Sequence, residues 1–461
     1  MNLIEPNKLR LSDRFDIFIK VYLLKSLDGF ISLNKGLCAY RLSLYAMNSF
    51  IEYDELYKPV KVGFNDFYLS FIELSKVIKE NGFDMSSAPI PVDSNFLPLN
   101  GAHRIASSLY YGNNILVESI NNEANHVWPY SYFHNLSFPH FIIESVFLNM
   151  INYHSNMYCA CLYSSSLSNH DEFISLLNEH SDILADFTRE YSDVGKRVLT
   201  SIYYSGENWV GNRKNKYKGT ANKFKHCFTN GNKVRYVVFK FTDNNNDNDR
   251  VLELKERLRK IASIGKHSIH ITDNGDETKD LLLSIMSPAA DDWINNQRVS
   301  HFNQFESFLN KLEHALIERD INKNSFVIVG SSVLSAYGLR DCNDLDAISL
   351  TLNDQQFVEL DIGNHNSYFE KYGFHLKEIL GDEDNFFYYR GFKFLSLNLV
   401  KQFKERRGET KDRADLKLID SILIKNNSEF HKKIMIFKFL VLNFKFKKAL
   451  KKVLIKVGVI K

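Results

Sequence analysis

Along FYLSFIELSKVIKENGF (67–83) apolar residues return every three or four positions, the period of an amphipathic helix, and Gly82 supplies its C-cap. The next patterned stretch, IPVDSNFLPLNGAHRIASSLYYG (90–112), changes period: a short strand, a turn, a second strand, then a helix opened by Gly101-Ala102-His103-Arg104. Further on, KVRYVVFKFT (233–242) reads as a strand, DRVLELKERLRKIAS (249–263) as a helix and HSIHIT (267–272) as another strand. A third series begins with a helix, FNQFESFLNKLEHALIER (302–319), followed by the buried strand SFVIVG (325–330). After it come a short helix in SSVLSAYGL, with Ser331 or Ser332 as N-cap, and a second strand, DLDAISL (344–350). These alternations predict an α+β multidomain chain with soft boundaries: 1–195, 196–300 (an α/β middle region), 301–425 and a basic amphipathic tail, 426–461. The length of 461 residues agrees, since ~150 residues per domain gives roughly three globular parts.

Composition narrows the class. An apolar content of 44% with 25% charged residues belongs to a globular chain rather than a disordered one. The first residues mix acids and bases among apolar positions, unlike a signal peptide, and no run of about 18 uncharged apolar residues predicts a spanning helix. Cys38, Cys159, Cys161, Cys227 and Cys342 are odd in number and form no CxxC pair, which speaks against a disulfide framework or a zinc site and for a cytoplasmic chain. Net charge is +3, yet the last 31 residues hold ten lysines and no acid, so the remainder is net acidic. An acidic body speaks against nucleic acid as a partner. The lysine tail predicts peripheral contact with an anionic membrane, at the inner membrane face, or an ordinary helix packed on the body.

The candidate chemistry begins at Gly330-Ser331 and at two aspartates, Asp344 and Asp346, thirteen residues on. On a strand, residues i and i+2 share a face, so the two carboxylates would stand side by side. Such a pair repels unless a cation lies between, and hard oxygen ligands suit Mg²⁺ or Mn²⁺. The Gly330–Ser331 turn would let backbone N–H groups and a hydroxyl approach a nucleotide phosphate. This strand, Gly-Ser turn, helix and D-x-D strand resembles the signature of the DNA polymerase β-type nucleotidyltransferase superfamily, over about residues 301–425. The resemblance implies transfer of a nucleoside monophosphate from a nucleoside triphosphate to a hydroxyl acceptor, with Ser331 on the triphosphate and Asp344 and Asp346 as metal ligands. Many members carry a third carboxylate on a later strand; here GFKFLSLNLV (391–400) offers Ser396 and Asn398, with Asp382, Glu383 and Asp384 just upstream as substitutes. Downstream, KQFKERRGETKDRADLKLI (401–419) resembles the helix that follows the core in small members, where Lys404, Arg407 and Lys411 would meet phosphates. As plain helix, the same stretch is a solvated face laced with ion pairs.

A second signal lies in Gly101-Ala102-His103-Arg104. A helix N-terminus with an arginine in its first turn is an anion site, and His103 can donate to phosphate or act as acid or base; a capped helix with a packed histidine has the same pattern. With the preceding NGFD and IPV, the segment resembles the ParB/sulfiredoxin-like fold and, lacking a motif cysteine and a helix-turn-helix, its kinase-like branch. The resemblance implies that Gly101, His103 and Arg104 hold a transferring phosphate, with Asp93 or Asp66 as base. Between the two motifs, Arg213, Lys214, Lys216, Lys218, Lys223 and Lys225 form a basic loop, phosphate-facing or merely solvated, and His270 and Asp273 end a strand.

Together the two resemblances imply a bifunctional transferase. A kinase-like site would phosphorylate a small hydroxylated metabolite, and a Mg²⁺-dependent site would couple a nucleotide to it, as in the supply of precursors for capsule or lipopolysaccharide. The alternatives are a nucleotidyltransferase acting on tRNA or protein, of toxin or defence type, and a non-catalytic nucleotide-binding regulator.

Overall fold

The computed structural model describes residues 2–53, 56–121, 127–136, 138–154, 156–241 and 247–423. The tail expected at 426–461, with the membrane contact read from it, lies outside the described residues. The protein is a mixed α/β chain in two compact units, 1–400 and 401–461. No helix among the described residues is long and apolar enough to cross a membrane.

The first unit is built around a helix that the sequence makes apolar on all sides. In Phe15–Leu27, FDIFIKVYLLKSL, eleven of thirteen residues are buried, and helices Leu33–Ala46, Ala102–Tyr111 and His140–Met150 pack around it. Its two charged residues nearest the start, Asp16 and Lys20, are buried and paired with each other, and Asp16 also pairs with Arg14. The Arg14 Nε lies 2.8 Å from Asp16 Oδ1 and the Lys20 Nζ 2.9 Å from Asp16 Oδ2. Burial works against the Asp16 carboxylate, but the Arg14 and Lys20 charges outweigh it and hold the group well below the usual range. Arg14 also donates to the Pro98 carbonyl at 2.5 Å, which fixes the turn ahead of Gly101.

That turn belongs to a strand–helix–strand unit. Strands Ile90–Val92 and Ile115–Ser119 pair in parallel, Ile90 opposite Val117, on either side of helix Ala102–Tyr111, and Asn2–Ile4 adds an antiparallel edge. The second strand expected ahead of Gly101 is reduced to a single bridge, Val92 to Pro98, because proline offers no N–H to a ladder. The helix over 63–81 forms as expected and ends on Gly82, whose φ of 75° suits glycine.

A four-stranded antiparallel sheet follows, in the order Ser181–Glu190, Lys233–Phe241, Tyr158–Tyr163, Ile269–Ile271. It takes strands from both sides of residue 195, so strand pairing does not break there. Helices His170–His180 and Asp247–Ala262 cover one face, burying Tyr158, Leu162, Val237 and Phe239. The third sheet runs Gly363–Asn364, Asp346–Ser349, Phe326–Val329, Phe392–Leu395, Phe386–Tyr389. Its central strand is antiparallel to Asp346–Ser349 and parallel to Phe392–Leu395.

The turn leading into this sheet is fastened to the N-terminal helices. Lys35 Nζ lies 2.8 Å from Asp382 and 2.7 Å from Asp384, Lys25 Nζ 3.1 Å from Glu383, and Ser145 Oγ donates to Asp384 at 3.1 Å. Two carboxylates share one ammonium, and burial with the Asp382 charge pushes the Asp384 carboxyl up to about 6. A carboxyl whose folded pKa exceeds its unfolded value contributes stability that is lost as pH rises, here between pH ~4 and ~6. Unfolding free energies of wild type and Asp384→Asn from denaturant titrations, compared from pH 4 to 7, should therefore drift apart in the variant's favour as pH rises. A pH-independent difference would contradict this.

Candidate functional site

Strand Phe326–Val329 is buried along its whole length and ends on Gly330, whose φ of 71° and ψ of −140° only glycine adopts without strain. A helix, Ser331–Ala336, starts at once. Gly330 is its N-cap, and neither serine caps it by side chain; Ser332 Oγ instead donates to the Val329 carbonyl at 2.9 Å. The antiparallel register sets Val329 opposite Asp346, and the next strand sets Gly363 beside Asp346. The Asp346 carboxylate thus lies between two glycines. A Cβ on Gly330 would come within 2.8 Å of Asp346 Oδ2, and on Gly363 within 2.4 Å of Oδ1. No side chain larger than hydrogen fits at either position while the carboxylate stays where it is. His365 Nε2 is 3.4 Å from Asp346 Oδ2, and its Nδ1 is 3.2 Å from Tyr372 Oη.

Asp344 behaves differently from the expectation. The strand begins at Asp346, so Asp344 stands exposed in the preceding bend, with the buried Leu345 between them, and strand alternation does not align the two acids. Among the described residues no group of three or more His, Cys, Asp or Glu is spaced to hold a metal ion. Two carboxylates still suit a hard cation that takes its remaining ligands from substrate phosphates and water, which is how Mg²⁺ is commonly held. The upstream acids do not supply a third ligand: buried Asp382 and Glu383 and half-buried Asp384 are the partners of Lys35 and Lys25.

The back of the Ser331–Ala336 helix is held by residues the sequence assigned elsewhere. Arg213, from the basic loop, is 3% exposed and donates to the carbonyls of Ser335 (3.1 Å) and Ala336 (2.5 Å) and to Gln297 Oε1 (2.5 Å), with its guanidinium 4.5 Å from the Tyr389 ring centre. A cation against the last carbonyls of a helix complements its dipole. Trp293 Nε1 donates to the same Ala336 carbonyl at 3.0 Å. Arg213 is therefore a structural clamp, whereas Lys214, Lys216, Lys218 and Lys225 are exposed.

Lys404 and Lys411 lie in the second unit. Lys404 is buried between Asp415 (2.7 Å) and Asp412 (3.3 Å), and Arg407 also pairs with Asp412 at 2.6 Å. Lys411 is exposed and 3.0 Å from Glu409. These acids join the helices Leu397–Arg407 and Asp412–Leu423 across the intervening turn.

At the N-terminal motif, Gly101 takes a left-handed conformation (φ 79°) and opens helix Ala102–Tyr111. The His103 ring stacks on Phe71, centres 4.6 Å apart, and its Nε2 is 2.9 Å from Tyr40 Oη. Burial, helped by the Lys20 and Lys61 charges, pushes its pKa well below the usual histidine value, so the imidazole is neutral at neutral pH. Arg104 donates to the Ala88 carbonyl and lies 5.9 Å from the Phe83 ring centre. Asp93 accepts from the Asn95 and Leu97 amides and Asp66 from the Val62 amide, so both carboxylates cap local turns.

The structure brings Gly330, Ser331 and Asp346 together, and Gly101, His103 and Arg104 together on a different sheet. Gly363, His365 and Tyr372, in DIGNHNSYFEKY, carried no motif; strand register puts Gly363 beside Asp346, His365 follows it there, and Tyr372 backs His365. No family model matches the chain, and no curated protein or solved structure does either.

Proposed function

We propose that the Gly330–Ser331 turn and Asp344/Asp346 form a nucleotidyltransferase site of the DNA polymerase β type, moving a nucleoside monophosphate from a nucleoside triphosphate to the hydroxyl of a small metabolite. The observation that carries this reading is the Asp346 carboxylate, seated between Gly330 and Gly363 at the mouth of a strand–glycine–helix turn. Backbone N–H groups at the start of the Ser331 helix and the Ser331 hydroxyl are suited to triphosphate oxygens. Asp344 and Asp346 would hold Mg²⁺ or Mn²⁺, which when bound neutralises charge on the phosphates. His365 orients the Asp346 carboxylate, and the clamp of Arg213 and Trp293 keeps the helix in register behind the turn.

In the same reading the Gly101–Arg104 segment binds a phosphate of the kinase-like partner reaction through its helix N-terminus. His103, neutral and held between Phe71 and Tyr40, packs the base of that N-terminus and leaves the phosphate to the backbone N–H groups and Arg104. A second reading, a nucleotide-binding regulator without transfer, is favoured by one observation: the acids upstream of Phe386–Tyr389 are committed to Lys25 and Lys35.

Thermal unfolding with ATP, CTP, GTP and UTP, with and without Mg²⁺, separates these outcomes. One nucleotide should raise the wild-type midpoint only with Mg²⁺, and Asp344→Asn/Asp346→Asn should lose the shift. Pyrophosphate release in the presence of an acceptor then marks transfer, and binding without release marks the regulator. If no nucleotide shifts the wild type, both readings fall.

A further inference from the structure

Lys393 carries chemistry that neither proposed site uses. It stands in strand Phe392–Leu395, directly opposite Tyr388 of strand Phe386–Tyr389. Strand alternation puts Lys393, Leu395, Phe386 and Tyr388 on one face of the third sheet. The Lys393 Nζ lies 4.6 Å from the centre of the Phe386 ring. Among the described residues no carboxylate lies within ion-pair distance of it. Glu383, whose charge reaches Lys393 from the neighbouring turn, is taken by Lys25 at 3.1 Å.

Burial pushes the Lys393 ammonium down to about 8, with the Glu383 charge opposing and the Lys25 charge assisting. Across the strand, burial with the Glu383 and Asp280 charges pushes the Tyr388 phenol up, so it stays protonated and adds no charge there near neutral pH. Two other lysines among the described residues are also held below the ordinary lysine value by burial, Lys20 and Lys223. Both are committed: Lys20 is buried against Asp16 at 2.9 Å, and Lys223 donates to the Lys266 carbonyl. Lys393 instead rests on an aromatic face and is only half-buried, so a small molecule can reach it from solvent. A desolvated lysine beside a second cation is the setting in which an amine becomes nucleophilic near neutral pH, because a useful share of it carries a free lone pair.

We infer that Lys393, seated on Phe386 beside the Lys25–Glu383 pair and without an acceptor of its own, is a modification site that takes an acyl group from a small acyl phosphate. The free amine attacks the acyl carbon and forms the C–N bond of an amide. The C–O bond to phosphate breaks, inorganic phosphate leaves, and the proton lost from nitrogen passes to it or to water. The inference does not depend on the transfer site, since none of the residues assigned there takes part.

Brief exposure of the full chain to acetyl phosphate at pH 7, with acetyl-lysine read site by site by peptide mass spectrometry, tests the inference. Lys393 should acetylate about tenfold faster than the exposed Lys218 and Lys225, because its larger share of free amine outweighs the lower nucleophilicity of a weaker base. Its rate should level off above pH ~8, where the free amine predominates, while theirs goes on rising towards pH ~10. Lys25→Met should slow Lys393 several-fold at pH 7, since it removes a like charge and releases Glu383 to pair with Lys393. Should that variant not fold, the wild-type rates and pH profile decide alone. Acetylation of Lys393 no faster than of Lys218 and Lys225 overturns the inference, as does a rate still rising at pH ~10 or a folded Lys25→Met protein that labels Lys393 at the wild-type rate.

Discussion

Arg213→Ala is expected to destabilise the first unit by ~3–5 kcal/mol, the range for removing one partner from a buried charged network. The substitution leaves three acceptors, the Ser335 and Ala336 carbonyls and Gln297 Oε1, facing a void where a planar fork had satisfied them. It also removes the guanidinium stacked on Tyr389. Lysine restores the charge but presents a single point of donors instead of a fork, so Arg213→Lys should recover only part of the loss. Denaturant unfolding followed by tryptophan fluorescence is the direct measurement, because Trp293 donates to the same Ala336 carbonyl. A phosphate-facing arginine would behave in the opposite way, with binding lost and the unfolding midpoint unmoved. A change within about 0.5 kcal/mol, typical of a surface substitution, would remove the clamp from this account.

The second large effect concerns chemistry. Under the nucleotidyltransferase reading proposed above, Asp346→Asn should reduce transfer by about 10³-fold, equivalent to ~4 kcal/mol of lost charge stabilisation around the triphosphate. Asparagine has the same shape, so it fits the space that Gly330 and Gly363 leave and should fold with a midpoint close to wild type. Asp344→Asn, in an exposed bend, should cost less, because an unconstrained ligand is more easily replaced by water. Initial rates of pyrophosphate release for the two single variants give the comparison. Equal and small losses would mean that the paired acids do not carry the reaction.

Much of the local structure was legible in the chain. The apolar runs of 325–330 and 233–242 and the helical periods of 67–83, 249–263 and 302–319 became strands over 326–329 and 233–241 and helices over 63–81, 247–262 and 303–318. Gly330 and Gly101 announced the two turns that need positive φ. Local chemistry settles such features, since a period of two or 3.6 and the absence of a Cβ act over a few residues. The readings that changed all depended on partners far away in sequence. Asp382, Glu383 and Asp384 looked like substitutes for a missing catalytic acid, yet they are ion-pair partners of lysines about 350 positions earlier. Lys404 looked free to meet phosphate, yet it is buried between two aspartates of the following helix.

Arg213 shows the same division within a single loop. Composition shows a basic cluster, but nothing in WVGNRKNKYKGTANKFKHCF distinguishes the arginine that is buried from the lysines that are exposed. The sequence by itself determined the elements, the turn at Gly330 and the presence of an acidic pair. Tertiary structure alone decided which charges face solvent, because burying a charge costs several kcal/mol unless partners from other segments meet it, and those partners are set by strand register and helix packing. For that reason Asp346 and His365 became a candidate site only once separate segments were brought together.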